Sequence, residues 1–340
     1  SDQVPPGAHV VAANEGGALG LAAGVYLASG NPGLVYLQNS GLGNLVNPLT
    51  SLADPEVYSI PALLLIGWRG EPGVHDEPQH RKQGRVTLET LEALEIPYAI
   101  LPEDFARAEP LLIHAVQSAR AKSAPFALIV RKGLFEPYKL KKKVPDVFGM
   151  SREDALKLII DSLSGDEVIV STTGMTSREV FEYREAKKAG HARDFLTVGC
   201  MGHASQIAMG IALQKGARSV YCLDGDGAVI MHMGALAIAG SSSLANFRHI
   251  VINNGAHDSV GGQPTVGLGI DIPSVARACN YLWAQTTADF AAVPALLAEM
   301  RQVNGPALLE IKVNKGARPD LGRPTTTTHD NKREFMDYLR

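Results

Sequence analysis

The chain has 340 residues, 45% hydrophobic and 20% charged, with a formal net charge of -3 at pH 7. That length suits two domains with cores of their own, and the near-balanced charge gives no reason to expect a nucleic acid or a membrane surface as partner. Apolar runs such as ALLLIGW are too short to span a bilayer, no charged-then-apolar leader opens the chain, and the three isolated thiols (Cys200, Cys222, Cys279) have neither metal nor disulfide spacing, so a reducing cytoplasm is the expected compartment.

In chain order, strands are expected at HVVAA, LVYLQN, PALLLIGW, PYAIL and FALIVRKG, with helices between them at 15–29 and about 104–122. Residues 134–150, with two prolines, a lysine cluster and no period, read as a linker. SRED then opens a helix with Ser151 as N-cap and Asp154 as the partner carboxylate. Further strands are expected at EVIVSTTG, DFLTVG, SVYCLDG, HIVINNG and ALLEIKV, followed by a polar loop and a terminal helix. Short apolar strands alternating with helices predict βα units and parallel sheets.

One repeat organises these elements. GVYLASGNPGLVYLQNSG from Gly24 matches GIALQKGARSVYCLDGDG from Gly210, with glycines at 24, 30 and 41 recurring at 210, 216 and 227, always 186 residues later. The expected fold class is therefore α/β, in two related domains, each a mostly parallel sheet with helices on both faces. At this offset Ser40 falls on Asp226 and Glu15 on Met201. Strand EVIVSTTG has no counterpart in the first half, so the first βα unit of that domain is expected to be missing.

In CLDGDGAVI a carboxylate stands between glycines where a buried strand hands over to a helix. Burying an unpaired carboxylate is costly, so Asp226 needs a cation, hydrogen-bond donors or water. Free N–H groups at the helix start suit phosphate, and a carboxylate beside phosphate calls for a divalent cation such as Mg²⁺. Twenty-five residues after Gly227 the next strand ends in Asn253 and Asn254, enough chain for one helix and a return to the same sheet edge. Either motif alone is also an ordinary turn; the pair at adjacent strand tips points to a metal and phosphate site. Neither a dinucleotide fingerprint nor a Walker loop is present.

G-D-G, twenty-five residues, then N-N resembles the thiamine-diphosphate signature. The stretches ANEGGALGLAAG, QNSGLGN, DEPQH, MGHASQIAMG, NNGAHDSVGGQPT and LGRPTTT resemble phosphonopyruvate decarboxylases and the neighbouring sulfopyruvate decarboxylases over nearly the whole chain. Two departures stand out: His75 precedes DEPQH where lysine is expected, and TTTTHDNK lacks an expected proline. The resemblance implies a pyrimidine-binding domain at 1–133, a linker at 134–150 and a diphosphate and Mg²⁺ domain at 151–340. It implies decarboxylation of 3-phosphonopyruvate to phosphonoacetaldehyde and CO₂ through the thiamine diphosphate ylid, in phosphonate biosynthesis. It assigns Glu15 to the aminopyrimidine as catalytic acid; the plainer reading of Glu15 is an acid complementing a helix N-terminus. Asp226, Asn254 and the carbonyl of Ala256 would hold Mg²⁺. Thr173, Gly174, Gly199, Met201, Gly202, His203, Gly225, Gly227 and Ala228 would line the cofactor, with Met201 as the wedge that bends it. Candidate substrate residues are Asn39, Ser40, His80, Arg81, Lys82, His257 and Arg323, each of which is equally readable as packing or surface. A homodimer or larger homo-oligomer with shared sites is implied. The alternatives are sulfopyruvate as substrate, a carboligase of the acetolactate synthase type, and a binding module without activity.

Overall fold

The computed structural model describes residues 4, 5, 7–138, 146–163 and 165–340, and divides into two units, Ser1–Lys143 and Val144–Arg340. The division falls within the expected linker, whose lysine cluster lies outside the described residues. No helix among the described residues is long and apolar enough to cross a membrane.

The first unit opens with helix α1 (Glu15–Ser29), capped where the Asn14 side chain accepts the Gly17 N–H at 2.9 Å and ended by Gly30 at φ 72°. There follow β1 (Gly33–Gln38), α2 (Leu42–Pro48), β2 (Ala62–Gly67), α3 (Pro78–Ala93), β3 (Tyr98–Ile100), α4 (Phe105–Lys122) and β4 (Phe126–Val130). The four strands form a parallel sheet in the order β1-β2-β4-β3. One face packs Val35, Leu37, Leu64 and Ile66 against Leu19 of α1, Leu45 of α2 and Leu91 of α3. The other packs Phe126 and Leu128 against Ala115 and Ala119 of α4.

The second unit contains α5 (Arg152–Ser162), β5 (Val168–Ser171), α6 (Met175–Ala186), β6 (Asp194–Leu196), α7 (Ala204–Gln214), β7 (Val220–Gly225), α8 (Asp226–Met231), α9 (Gly234–Ser241) and β8 (Phe247–Asn253). It continues with β9 (Ala256–His257), β10 (Gln263–Pro264), α10 (Ile272–Ala278), β11 (Trp283–Thr287), α11 (Val293–Gln302), β12 (Ala307–Lys312) and α12 (Thr328–Leu339). Ser151 and Asp154 form the expected capping box on α5. Six parallel strands run β11-β12-β8-β7-β5-β6, and β9 and β10 make a small antiparallel pair beside them. Alternate strand residues face opposite cores: Val168, Val170, Val220 and Cys222 one way, Ile169, Tyr221 and Leu223 the other. Burial on both faces makes these strands read as continuous apolar runs.

The two sheets correspond in order, β1-β2-β4-β3 to β7-β8-β12-β11. The spacing between them differs from the sequence repeat by one residue. Pairing Gly33 with Ala62 and Val220 with Phe247 puts β1 and β7 187 apart, and β2 and β8 185 apart. Because strand side chains alternate, one residue reverses the face, and the faces agree with the odd spacing: Val35 and Leu37 lie toward α1 as Val220 and Cys222 lie toward α7. By strand ends, Asn39 and not Ser40 is the counterpart of Asp226.

A second expectation is corrected at HVVAA, which forms no strand and leaves Val10 63% exposed. In the second unit the corresponding edge strand, β6, pairs with β5, and among the described residues the first unit offers no such neighbour for its ladder. Leu34 and Tyr36, 61% and 67% exposed, occupy the face that α5 and α6 cover in the second unit. The expected single helix after G-D-G is also interrupted, between α8 and α9 at His232 (φ -132°, ψ 51°).

Gly240 in α9 gives a test of packing, since a Cβ there would lie 1.7 Å from the Cys279 carbonyl oxygen. A backbone carbonyl cannot rotate away, so in Gly240→Ala an overpacking cost of roughly 1–3 kcal/mol outweighs the roughly 1 kcal/mol helix preference of Ala over Gly. A lower urea midpoint for the second unit is the expected result.

Candidate active site

Because the main sheet of the second unit is parallel, the C-terminal tips of β5, β7 and β8, which are neighbours, lie along one edge. This is where open α/β sheets bind ligands. Asp226 stands at the β7 tip and is 1% exposed. Its carboxylate accepts the Thr265 hydroxyl, and a Cβ at Gly267 would lie 2.4 Å from Asp226 Oδ2, so only glycine fits beside it. Among the described residues no lysine or arginine pairs with Asp226. Burial therefore pushes its carboxyl up to about 6, against the hydrogen bond from Thr265 and the backbone N–H groups of Asn254 and Gly227, which pull it down. Gly227 is required for a different reason: a Cβ there would lie 2.5 Å from His257 Cε1, so the imidazole packs directly on this backbone. Burial lowers the pKa of His257. Gly225 and Ala228 flank the turn, the latter 4% exposed.

The two asparagines at the β8 tip have different tasks. Asn253 is wholly buried and donates to the Gly267 carbonyl at 2.8 Å and to Glu310 Oε1 at 2.7 Å, tying β8 to β12 and to the loop over Asp226. Asn254 donates through Nδ2 to Asp258 Oδ2 at 2.7 Å and accepts the Ala256 N–H through Oδ1 at 3.0 Å. A buried carboxylate without a cation, beside an asparagine oxygen held by one N–H, is an oxygen donor set that suits a small, hard dication.

At the β5 tip, Thr173 is half-buried and Gly174 adopts φ 97°, a conformation that favours glycine, with its Cβ position 3.1 Å from Ser259. After β6, the loop carries half-buried Gly199 and Met201, Cys200 at φ 58° and Gly202 at φ 86°. A Cβ on Gly202 would meet His232 Cδ2 at 2.4 Å, so this loop closes onto the end of α8. His203 is exposed, its Nδ1 is 3.3 Å from the carbonyls of Cys200 and Met201, and its ring centre is 4.5 Å from that of His232. The two imidazoles, Gly202, Gln206 and Ala235 line a cavity of about 300 Å³. His232, an isolated histidine in MHMG, carries no spacing that sets it apart in sequence.

In the first unit Glu15 is the first residue of α1. Its Oε2 accepts Asn44 Nδ2 at 2.7 Å, and its Oε1 lies where a Cβ on Gly41 would be, 2.0 Å away. The tip of β1 thus leaves a hollow for this carboxylate and supplies one donor to it. Asn44 was not singled out in sequence, although it ends the stretch QNSGLGN.

The expected substrate residues differ in their surroundings. Asn39 is 4% exposed and spends its amide internally: Nδ2 donates to the Arg69 carbonyl at 2.8 Å and Thr87 Oγ1 at 2.9 Å, and Oδ1 accepts the Arg69 N–H at 3.0 Å. It ties the end of β1 to the residue after β2 and to α3. Ser40 beside it is exposed. In DEPQH, Asp76 takes both prongs of Arg69 and the N–H groups of Gly70 and Glu77, and Arg69 holds its carboxyl well below the usual range. That motif anchors a loop. His80, with its pKa lowered by burial, lies 3.3 Å from Gln83 Oε1. Arg81, Lys82 and Arg323 are exposed.

The chain is similar to known proteins along most of its length. The family described as thiamine pyrophosphate enzyme, N-terminal TPP binding domain, matches residues 4–91, and its C-terminal TPP binding domain counterpart matches residues 172–311. The phosphonopyruvate decarboxylase of Streptomyces viridochromogenes is 32% identical over 98% of this chain and 86% of its own length. That of Streptomyces hygroscopicus is 33% identical over 97% and 84%. The sulfopyruvate decarboxylase of Methanosarcina acetivorans is 29% identical over 77% and 70%.

Two measurements probe this geometry. Asp226 has a folded pKa of about 6 against an unfolded value of about 3.9, so the folded, cofactor-free chain binds the extra proton between these pH values. The contribution of Asp226 to stability is full below about pH 4 and falls by up to roughly 3 kcal/mol as pH rises through about 6. Asp226→Asn is expected to flatten this slope and to raise the melting temperature of the cofactor-free protein at pH 7; a parallel pH profile in the variant would contradict it. Gly41→Ala is expected to displace the Glu15 carboxylate and lower turnover by roughly 10²-fold or more, as loss of a positioned acid does, with an unchanged circular dichroism spectrum.

Proposed function

Since the chain belongs to the thiamine-diphosphate-dependent 2-oxo acid decarboxylases, we propose that its substrate is 3-phosphonopyruvate, converted to phosphonoacetaldehyde and CO₂ in phosphonate biosynthesis. The observation that carries this choice is the 32–33% identity to two phosphonopyruvate decarboxylases over nearly the full chain, against 29% over 77% for a sulfopyruvate decarboxylase. Sulfopyruvate is the alternative substrate, with the same chemistry and a tail carrying less charge.

Thiamine diphosphate is the cofactor, and when bound it supplies an electron sink for the pair released as the carboxylate leaves. The residues present fit it. Residues 1–133 are assigned to the pyrimidine and 151–340 to the diphosphate. Asp226, Asn254 and the Ala256 carbonyl would hold Mg²⁺, which would compensate the buried Asp226 charge, paired with no lysine or arginine among the described residues. Thr173, Gly174, Gly225, Gly227 and Ala228 would line the diphosphate, their small side chains allowing close approach. Gly199, Met201, Gly202 and His203 would line the ring portion. Glu15, held by Asn44 through one oxygen and left clear by Gly41 at the other, would share a proton with the aminopyrimidine.

The reaction breaks the C1–C2 bond and replaces CO₂ by a proton at C2, so a protein group must deliver that proton. His257, kept toward its neutral form by burial, and the paired His203 and His232 are the candidates on the diphosphate side. Exposed Arg81, Lys82 and Arg323, with His80 and Ser40, are the remaining candidates for the anionic tail. Assembly into at least a homodimer, in the cytoplasm, belongs to the same proposal. The exposed apolar residues Leu34 and Tyr36 of β1, 61% and 67% accessible on the sheet face away from α1, support a covered face.

The test is release of CO₂ and aldehyde from phosphonopyruvate, sulfopyruvate and pyruvate side by side, with thiamine diphosphate and Mg²⁺. The expected outcome is the highest kcat/KM for phosphonopyruvate, reduced roughly 10²–10⁴-fold in Glu15→Gln. Preference for sulfopyruvate would move the substrate assignment and leave the mechanism intact.

A further inference from the structure

Asp258 stands in the stretch AHDSVGGQPT, and no role for it follows from the cofactor signature. We infer that Arg152 and Asp258 form a relay that sets the affinity of the metal site by fixing the amide of Asn254. The inference rests on the reading of Asp226 and Asn254 as metal ligands.

The geometry runs outward from the site. Asn254 can ligate a cation only through Oδ1, and an amide free to flip would present Nδ2 half of the time. Asp258 Oδ2 receives Asn254 Nδ2 at 2.7 Å, and a carboxylate accepts but does not donate, so this contact pins the nitrogen and turns the oxygen the other way. The Ala256 N–H at 3.0 Å fixes that oxygen from its own side. Asp258 is held in turn: its Oδ2 accepts Arg152 Nη1 at 2.8 Å and the Gly316 N–H at 2.9 Å. Arg152, the first residue of α5 and only 5% exposed, meets Glu179 with the fork of its guanidinium, Nε to Oε2 at 2.8 Å and Nη2 to Oε1 at 2.9 Å, and donates to the Gly316 carbonyl at 3.1 Å. One guanidinium thus joins α5, α6, the loop after β8 and the loop after β12.

The charges carry the second half of the argument. Arg152 offsets one of the two carboxylates it binds, so the cluster keeps one excess negative charge beside Asn254. Adding the buried carboxylate of Asp226, the region presents the charge that a dication balances. Arg152 and Asp258 are positioning residues; neither is placed on the reacting atoms.

The experiment titrates Mg²⁺ into the folded, full-length chain with saturating thiamine diphosphate, by calorimetry, in wild type, Asp258→Asn, Arg152→Lys and Asp226→Asn. Melting temperatures without cofactor are measured in parallel. Asp258→Asn keeps the shape and removes the charge and the forced orientation; Arg152→Lys keeps the charge and loses the fork. Both are expected to weaken Mg²⁺ binding roughly 10–100-fold, the usual range for partners of a metal ligand, beyond any change in cofactor-free melting temperature. A lower melting temperature with wild-type Mg²⁺ affinity in the folded fraction would reduce the cluster to a structural staple and overturn the relay. If Asp226→Asn also bound Mg²⁺ like the wild type, the metal site itself would be wrong and the relay would fall with it. Loss in Asp226→Asn with wild-type affinity in both other variants would overturn the relay alone.

Discussion

The second unit is arranged around one uncompensated charge. Asp226 is buried at the tip of the central strand pair, with a hydroxyl and backbone N–H groups for partners and no side-chain cation among the described residues. An isolated buried carboxylate is among the costliest groups a fold can hold, and its neighbourhood is shaped to carry it. Gly267 has no side chain because none fits, Thr265 turns its hydroxyl inward, and Asn253 ties the overlying loop to β12. The cost becomes useful when a dication arrives, because the site is then organised beforehand and little reorganisation remains.

The first unit has the same sheet order and none of that charge. At the strand end equivalent to Asp226 stands Asn39, neutral and fully hydrogen-bonded to the Arg69 backbone and Thr87. Its acidic group is on the opposite side of the turn, where Glu15 begins α1 and rests over Gly41. Two copies of one architecture thus place a carboxylate at a strand tip in one case and at the start of the helix that precedes the strand in the other.

Much of this was legible from the chain. The alternation of short apolar strands with helices indicated parallel sheets because strands buried on both faces read as apolar runs. The G-D-G and N-N motifs fall at the tips of adjacent strands, as their spacing predicted. The 186-residue repeat identified related units and still misjudged their registration, since matching glycines lie in turns where a residue can be gained on one side and lost on the other. The faces of β1 and β7 agree only at an odd spacing. HVVAA had the composition of a strand, and composition does not supply the neighbour a ladder needs.

The sequence by itself determined the two α/β units, the order of their elements and the cofactor class. Each of these depends on residues close together in the chain or on a strand period. The tertiary structure decided which neighbour each polar group finds. Asn253 and Asn254 are adjacent and identical in type, yet one braces Glu310 and the other faces Asp258. Arg152 reaches Asp258 across 106 positions, and Asn44 reaches Glu15 across 29. Hydrogen bonds act over about 3 Å, and at that range the chain's path through space, rather than its order, selects the partner.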